Sequence, residues 1–467
     1  MYDVHNPARP AEVVGQAPVA DAGEVDAAVT EARRAAAGWA AQPVADRVAV
    51  VVAAMTAAAA RAEADDLATL YTREHGKVRS EAAFEIASAP AIAMMLGDQA
   101  AAACAAEQIE PAAAYPRLQR EPFGVAALIL PFNWPIAVAA MKLTSALVAG
   151  NTAVVKVPPT CPLAVLQFGA NLAAELPPGV VKLLSGPGAE LGRQLVGHPD
   201  VNVISLTGGV ATGKAVMAAA AQRLTPVLLE LGGNDAAIIA PDLAVTDALA
   251  DQLVQATYTT TGQVCMAVKR LYAPRERVEK LADAVLSRAE REVVGDGLAP
   301  EVTLGPMHTA AGFDRVQRLL ADAEAAGATV RRAGRLRADD QGSGGYFVLP
   351  TVVTDAPADS DLIREEQFGP ALPIIGYDDI DDAVAAANGT PFGLTASVWT
   401  ADDALGERVA SALVAGTVAI NCHGMAAQDP RLPFGGVGSS GLGRELGVDG
   451  IRAFTQPRAL VRRPAPA

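Results

Sequence analysis

From residue 24 to 108, small apolar residues recur at three- and four-residue spacing between Arg, Glu and Asp, as in Val48-Ala-Val-Val-Val-Ala-Ala-Met55. That period lays the apolar positions along one face of a helix, so the stretch is expected to be helical. Gly76 and Pro90 punctuate it. Residues 117–122 alternate in character and are expected to form an exposed strand.

The texture then changes. Residues 125–130, 152–157, 180–184 and 201–206 are short apolar runs bounded by Gly, Pro or Asn, with helical stretches such as 163–175 and 189–196 between them. Strand alternating with helix predicts a parallel sheet covered by helices on both faces, with ligands at the carboxyl ends of the strands.

A second alternation begins near residue 232. Strands are expected at 235–240, 270–273, 350–354, 372–375, 396–399 and 417–420, with helices at 247–258, 278–292 and 313–326. Residues 435–443 read as a flexible, glycine-dense loop and 453–462 as a last strand. The chain therefore reads as two α/β units without an internal repeat or a long linker.

Composition adjusts this picture in three ways. A chain of 467 residues exceeds the usual size of one core. At 51% hydrophobic and 19% charged residues it is core-forming rather than disordered. The net charge of -15, with no Lys/Arg run, argues against nucleic acid and anionic membranes as partners.

Four widely spaced cysteines form neither a zinc site nor a disulfide framework, and the first residues lack the pattern of a secretion signal. No apolar run reaches membrane-spanning length. A reducing cytoplasm is expected.

Two segments suggest covalent catalysis. Cys265 lies in Thr259-Thr-Thr-Gly-Gln-Val-Cys265, and Glu230 in Leu229-Glu-Leu-Gly-Gly-Asn234. A thiol can attack a carbonyl, and a desolvated carboxylate can activate the water that releases the product. A free cysteine is, however, more often ordinary core, and the glutamate could be a strand-edge residue paired with a cation.

Asn133, in Pro131-Phe-Asn-Trp-Pro135 after a strand, can donate to an oxygen developing negative charge, or serve only a turn. Lys156 at a strand end can reach a ribose or phosphate. Thr207-Gly-Gly-Val-Ala-Thr-Gly-Lys214 can bring backbone N–H groups to a pyrophosphate at a helix start, although it lacks the Gly-x-Gly-x-x-Gly pattern. Glu365-Glu-Gln-Phe-Gly-Pro370 offers a carboxylate and an aromatic ring. Five histidines show no metal-ligand spacing, no Gly-x-Ser-x-Gly elbow is present, and Cys422 is the second candidate thiol.

Together these segments resemble the aldehyde dehydrogenase superfamily. Pro131-Phe-Asn-Trp-Pro135, Thr207-Gly-Gly, Glu230-Leu-Gly-Gly, Gly262-Gln-Val-Cys265, Glu366-Gln-Phe-Gly-Pro370 and Pro433-Phe-Gly-Gly436 occur in the family's order, over nearly the whole chain. The resemblance implies a Rossmann-like NAD(P)-binding domain at 1–103 and 123–231. It also implies an α/β catalytic domain at 232–440 and oligomerisation strands at 104–122 and 453–467.

It further implies that Cys265 is the nucleophile, that Asn133 and the Cys265 N–H form the oxyanion hole, and that Glu230 is the general base. Lys142 matches a lysine of the proton relay. Lys156 and Glu366 match ribose contacts, Phe368 packs near the nicotinamide, and Gly208 and Gly209 match the phosphate turn. Pro131 and Leu231 fall at further cofactor contacts. Trp134, Met141, Val264, Met266 and Phe434 match the substrate tunnel, and Met141 replaces a bulkier aromatic of some relatives. No metal is implied. A small-molecule aldehyde is the expected substrate, and a homodimer or homotetramer the expected assembly.

Some positions depart from the pattern. Pro159 stands where many NAD-preferring members carry a glutamate that holds the adenosine ribose, which leaves NAD or NADP open. Gly209 replaces a serine that would add a phosphate hydrogen bond, and Asn234 replaces a common lysine. His423 and Arg431 could receive an anionic aldehyde, or Arg431 could simply pair with Asp429. A CoA-acylating enzyme, a thiol esterase and a non-catalytic relative are the alternatives, with Glu230 arguing against the first.

Overall fold

The computed structural model describes residues 1–108 and 116–463. Two large sheets organise the chain. The first has six strands in the order Gly441–Leu442, Val227–Glu230, Val203–Thr207, Val125–Ile129, Thr152–Lys156 and Val181–Leu184. All are parallel except Gly441–Leu442. Alternate residues of a strand face opposite sides. Val125, Ala127 and Ile129 meet the helices Ala22–Ala40, Glu190–Gly197 and Val210–Ala221, whereas Ala126 and Leu128 meet Val44–Ala64, Arg79–Cys104 and Pro135–Val148. Burial on both faces is why these strands read as unbroken apolar runs.

The second sheet has seven strands in the order Thr329–Arg332, Thr351–Thr354, Ala371–Tyr377, Arg270–Pro274, Ala236–Ile239, Thr395–Trp399 and Thr417–Ile420. Only Thr329–Arg332 runs antiparallel. A third, antiparallel sheet joins Thr455–Leu460, Arg117–Pro122 and Glu107–Gln108. Parts of the expected oligomerisation segments, residues 109–115 and 464–467, lie outside the described residues.

The structure differs from the sequence reading in several places. The helical stretch is four helices, Ala22–Ala40, Val44–Ala64, Leu67–His75 and Arg79–Cys104, and Pro90 lies inside the last without ending it. Proline there forfeits one backbone bond, but the face running through Ala82, Ile86, Ala89, Ala93, Leu96 and Ala100 is buried and holds the helix. A hairpin of Tyr2–Asn6 and Arg9–Ala17 gave no signal. Val227–Glu230, absent from the expected strands, is the strand that carries Glu230.

The glycine-dense run at 435–443 is an ordered return from the second sheet to the first. Val437 N donates to Gly393 O at 2.9 Å, Leu231 N to Ser440 O at 2.9 Å, and Gly441 pairs with Glu230. A Cβ on Gly416 would lie 1.6 Å from Gly435 O. The glycines serve close backbone approach rather than mobility.

Candidate active site

Cys265 is half-buried in the loop that follows helix Asp247–Tyr258. The loop is strained: Thr260 and Thr261 take left-handed φ of 52° and 57°. Bonds compensate for this. Thr260 N donates to Glu81 at 2.9 Å, Thr261 Oγ1 to Gly305 O at 2.8 Å, and Gln263 Oε1 accepts from His308 N at 2.9 Å. Gly262, at φ 71°, has no room for a side chain, since a Cβ would fall 2.5 Å from Gly369 O. Burial, then the carboxylates of Asp235 and Glu366, push the Cys265 thiol up to about 12, with Lys269 acting in the opposite sense and Glu230 adding to the rise.

Asn133 meets this loop from the first sheet. It follows strand Val125–Ile129, is buried, and its Nδ2 donates to Gln263 O at 3.0 Å. Its own carbonyl accepts from Lys77 Nζ at 2.8 Å. Trp134 Nε1 donates to Thr260 Oγ1 at 3.1 Å, a second tie to the nucleophile loop.

Glu230, at the carboxyl end of its strand, is buried, and neither carboxylate oxygen has a hydrogen-bond partner. A Cβ on Gly435 would lie 2.5 Å from Oε1, so the glycine makes room for the carboxylate. Desolvation raises its pKa well above the ordinary value. Glu445 adds to the rise, while Lys142 and Arg444 oppose it. Lys142 is fully buried, ion-paired with Glu445, and donates to Ser205 Oγ at 2.7 Å.

A cavity of about 580 Å³ opens at the carboxyl ends of the first sheet. Lys156, Pro159, Gly208, Phe132 and Arg193 are among its walls. Lys156 is buried, and desolvation lowers its pKa. Gly209 is the N-cap of helix Val210–Ala221, without a side-chain cap.

At Gly209, whose φ is -73°, no atom lies within 4 Å of where a Cβ would sit. Packing does not demand glycine there, and the open backbone N–H groups at a helix start suit the phosphates of a dinucleotide. Leu231 is buried and its N donates to Ser440 O at 2.9 Å, whereas Pro131 only precedes the Phe132 wall.

Glu366 and Phe368 face the site from the second sheet. Glu366 Oε1 accepts from Gly233 N at 3.1 Å. Phe368 holds φ 52° and meets Phe132 edge-on at 5.7 Å. A Cβ on Gly232 would fall 2.1 Å from Glu366 Oε2.

The expected tunnel residues divide. Trp134 and Val264 line a cavity of about 580 Å³ with Phe84, Glu81 and Met425. Met266 and Phe434 line a second, of about 290 Å³. Met141 lines neither and packs against the helices of the first sheet.

The anion-receiving pair is not assembled. His423 is buried, bonded to Ser397 Oγ at 2.7 Å and pushed down to about 3 by burial, hence neutral. Arg431 is exposed and chelated by Asp429.

Sequence reasoning missed Glu445, Arg193, and the buried Lys77, Glu85 and Lys269. No local pattern marks them. Burial beside the site marks Glu445, Lys77, Glu85 and Lys269, and Arg193 is found only by its place in the cavity wall.

A dinucleotide-sized cavity at the carboxyl ends of one parallel sheet, with a buried carboxylate on that sheet and a thiol on a loop of the other, is the layout of an α/β oxidoreductase. The aldehyde dehydrogenase family model matches residues 1–460. A mutant of aldehyde dehydrogenase C from Pseudomonas syringae, solved with NAD+ and octanal, is 34% identical, with a TM-score of 0.91 over 100% of this chain and 94% of that one. An NADP-dependent enzyme of E. coli is 31% identical, with a TM-score of 0.92 over 98% and 94%. Betaine aldehyde dehydrogenase from Staphylococcus aureus, in complex with NAD+, is 29% identical, with a TM-score of 0.92 over 100% and 92%. The chain belongs to the aldehyde dehydrogenase family. It is an NAD(P)-dependent enzyme that oxidises an aldehyde to an acid.

Proposed function

We propose that this enzyme oxidises an uncharged, largely apolar aldehyde through Cys265, Asn133 and Glu230. The Cys265 thiol loses its proton to water and its sulfur adds to the aldehyde carbon to give a thiohemiacetal anion. Its oxygen is met by the Cys265 N–H and by Asn133 Nδ2, which its bond to Gln263 O holds in place before the charge develops. A nicotinamide held by Lys156, Glu366 and Phe368 would supply positive charge and a hydride acceptor, and loss of hydride from the thiohemiacetal leaves a thioester on Cys265. Glu230 then takes a proton from the water that cleaves the thioester, and the acid leaves. An elevated pKa suits a base that must accept that proton near neutrality. Lys142 and Glu445 complete a buried charged set that tunes it.

The observation that carries this reading is Glu230: a buried carboxylate without a bond, close enough for its charge to act on Cys265. Cys265→Ala is expected to abolish NAD(P)H formation while cofactor binding persists. Near-normal turnover would remove Cys265 from the reaction.

Among the described residues no lysine or arginine lines either substrate cavity, and Phe84, Trp134, Met425, Met266 and Phe434 are prominent. These walls favour an uncharged aldehyde over an anionic one. The octanal bound in the Pseudomonas relative supports a medium-length chain. Lys156, the Gly208–Gly209 turn, Glu366 and Phe368 would hold the dinucleotide. Pro159 presents no carboxylate to repel a 2′-phosphate, while Arg193 in the same cavity is paired with Glu190, so use of both NADP and NAD is proposed on the Pro159 position alone. A panel of charged and uncharged aldehydes against both cofactors tests these choices by kcat/KM. A preference for an anionic aldehyde would overturn the substrate reading.

The first sheet and its helices would form the cofactor-binding domain and the second the catalytic one. The exposed strand Thr455–Leu460 and the half-buried Arg117–Pro122 beside it suit a dimer or dimer of dimers, checked by light scattering. Among the described residues no helix is long and apolar enough to cross a membrane, and four free cysteines fit a reducing cytoplasm.

A further inference from the structure

Lys269 is a buried charge that the mechanism above leaves without a task. It is 1% exposed, and among the described residues its Nζ forms no ion pair. It donates instead to the carbonyls of Gly262, at 3.4 Å, and Val264. Asp235, Glu366 and Cys265 face it, and it stands 5.4 Å from the centre of the Phe368 ring. A buried ammonium without an ion pair costs several kcal/mol, so its position between two loop carbonyls calls for a reason.

The reason lies in the peptide it holds. The Val264 carbonyl and the Cys265 N–H belong to one planar trans unit and point in opposite directions. The carbonyls before the nucleophile are shared between opposing donors: Gly262 and Val264 bond Lys269, while Gln263 bonds Asn133 at 3.0 Å. Fixing the Val264 carbonyl on the Lys269 side turns the Cys265 N–H toward the Asn133 side. Lys269 is itself anchored, its N donating to Asp235 O at 2.9 Å and its O accepting from Gln367 Nε2 at 3.2 Å.

We propose that Lys269 is a positioning residue of the oxyanion site: it clamps the Val264 carbonyl so that the Cys265 N–H and the Asn133 amide converge on the aldehyde oxygen. A charged donor on that carbonyl also polarises the N–H at the other end of the peptide. The proposal rests on the reading of Cys265 as the nucleophile.

The full-length enzyme carrying Glu230→Gln provides the test, because the acyl-enzyme is expected to accumulate on Cys265 there. Absence of an acyl group on Cys265 would sink the nucleophile reading, in an arm that does not involve Lys269. With the acyl-enzyme formed, adding Lys269→Met is expected to move the infrared stretch of the acyl carbonyl to higher frequency. With Glu230 intact, Lys269→Met is expected to lower kcat by about tenfold to a hundredfold with both KM values little changed.

Lys269→Arg, which keeps a cation at that carbonyl, is expected to recover most of both effects. An unmoved carbonyl stretch, an unchanged kcat, or a loss confined to KM overturns the proposal. Should Lys269→Met fail to fold, Lys269→Gln keeps a neutral N–H for the carbonyl. It is expected to shift the stretch by a smaller amount, and no shift again overturns the proposal.

Discussion

Lys77 and Glu85 are fully buried and lie 2.5 Å apart under the Asn133 loop. Lys77 also bonds the Asn133 carbonyl at 2.8 Å and sits 4.3 Å from the Trp134 ring centre and 4.7 Å from that of Tyr71. Glu85 accepts from Tyr71 at 2.7 Å and from Ile136 N and Ala137 N, at 2.7 and 3.0 Å, at the start of helix Pro135–Val148. One ion pair thus holds both the asparagine and the helix behind it.

Lys77→Met keeps the stem and removes the charge, stranding Glu85 as a buried anion. Breaking such a pair costs about 3–5 kcal/mol, and the three donors left to Glu85 place the loss near 3. At roughly 2 °C per kcal/mol for a large chain, Tm should fall by about 6 °C. The freed Asn133 carbonyl should lower kcat about tenfold or more, with cofactor KM unchanged.

Thermal unfolding of Lys77→Met, Glu85→Gln and the double variant forms a cycle. The double variant removes both charges and should be more stable than Lys77→Met alone, since a glutamine oxygen can still accept from Ile136 and Ala137. Additive losses, or a Lys77→Met enzyme with unaltered Tm and kcat, would refute the reasoning.

Two further changes test other parts of the site. Glu445→Gln removes a like charge that, after burial, raises the pKa of Glu230 and leaves Lys142 unpaired beside it. The acid limb of the kcat–pH profile should move to lower pH, and a limb that stays or rises would contradict the assignment of Glu230 as base. Gly232→Ala would place a Cβ 2.1 Å from a Glu366 carboxylate oxygen, the mobile end of a side chain, so the fold should survive while Glu366 shifts away from Gly233. Cofactor KM should rise about tenfold with a smaller change in kcat, and an unchanged KM would remove Glu366 from cofactor binding.

Much of the fold was legible because burial on both faces turns a parallel strand into an apolar run. The strands at Val125–Ile129, Thr152–Lys156 and Ala236–Ile239 lie within their expected ranges. Val227–Glu230 was missed because its four residues end at the charge it exists to carry. Pro90 misled because local propensity is weaker than the packing of a long buried helix.

The sequence by itself determined the family and the order of its chemical segments, since glycines, a thiol and carboxylates at set places are local facts. Only the tertiary structure decided what surrounds them. It paired Lys142 with Glu445, left Glu230 without a bond, neutralised His423 by burial and consumed Arg431 in a pair with Asp429. It also brought Lys269 under the carbonyls before Cys265. Charge and acidity depend on burial and on partners distant in the chain, which no local pattern encodes.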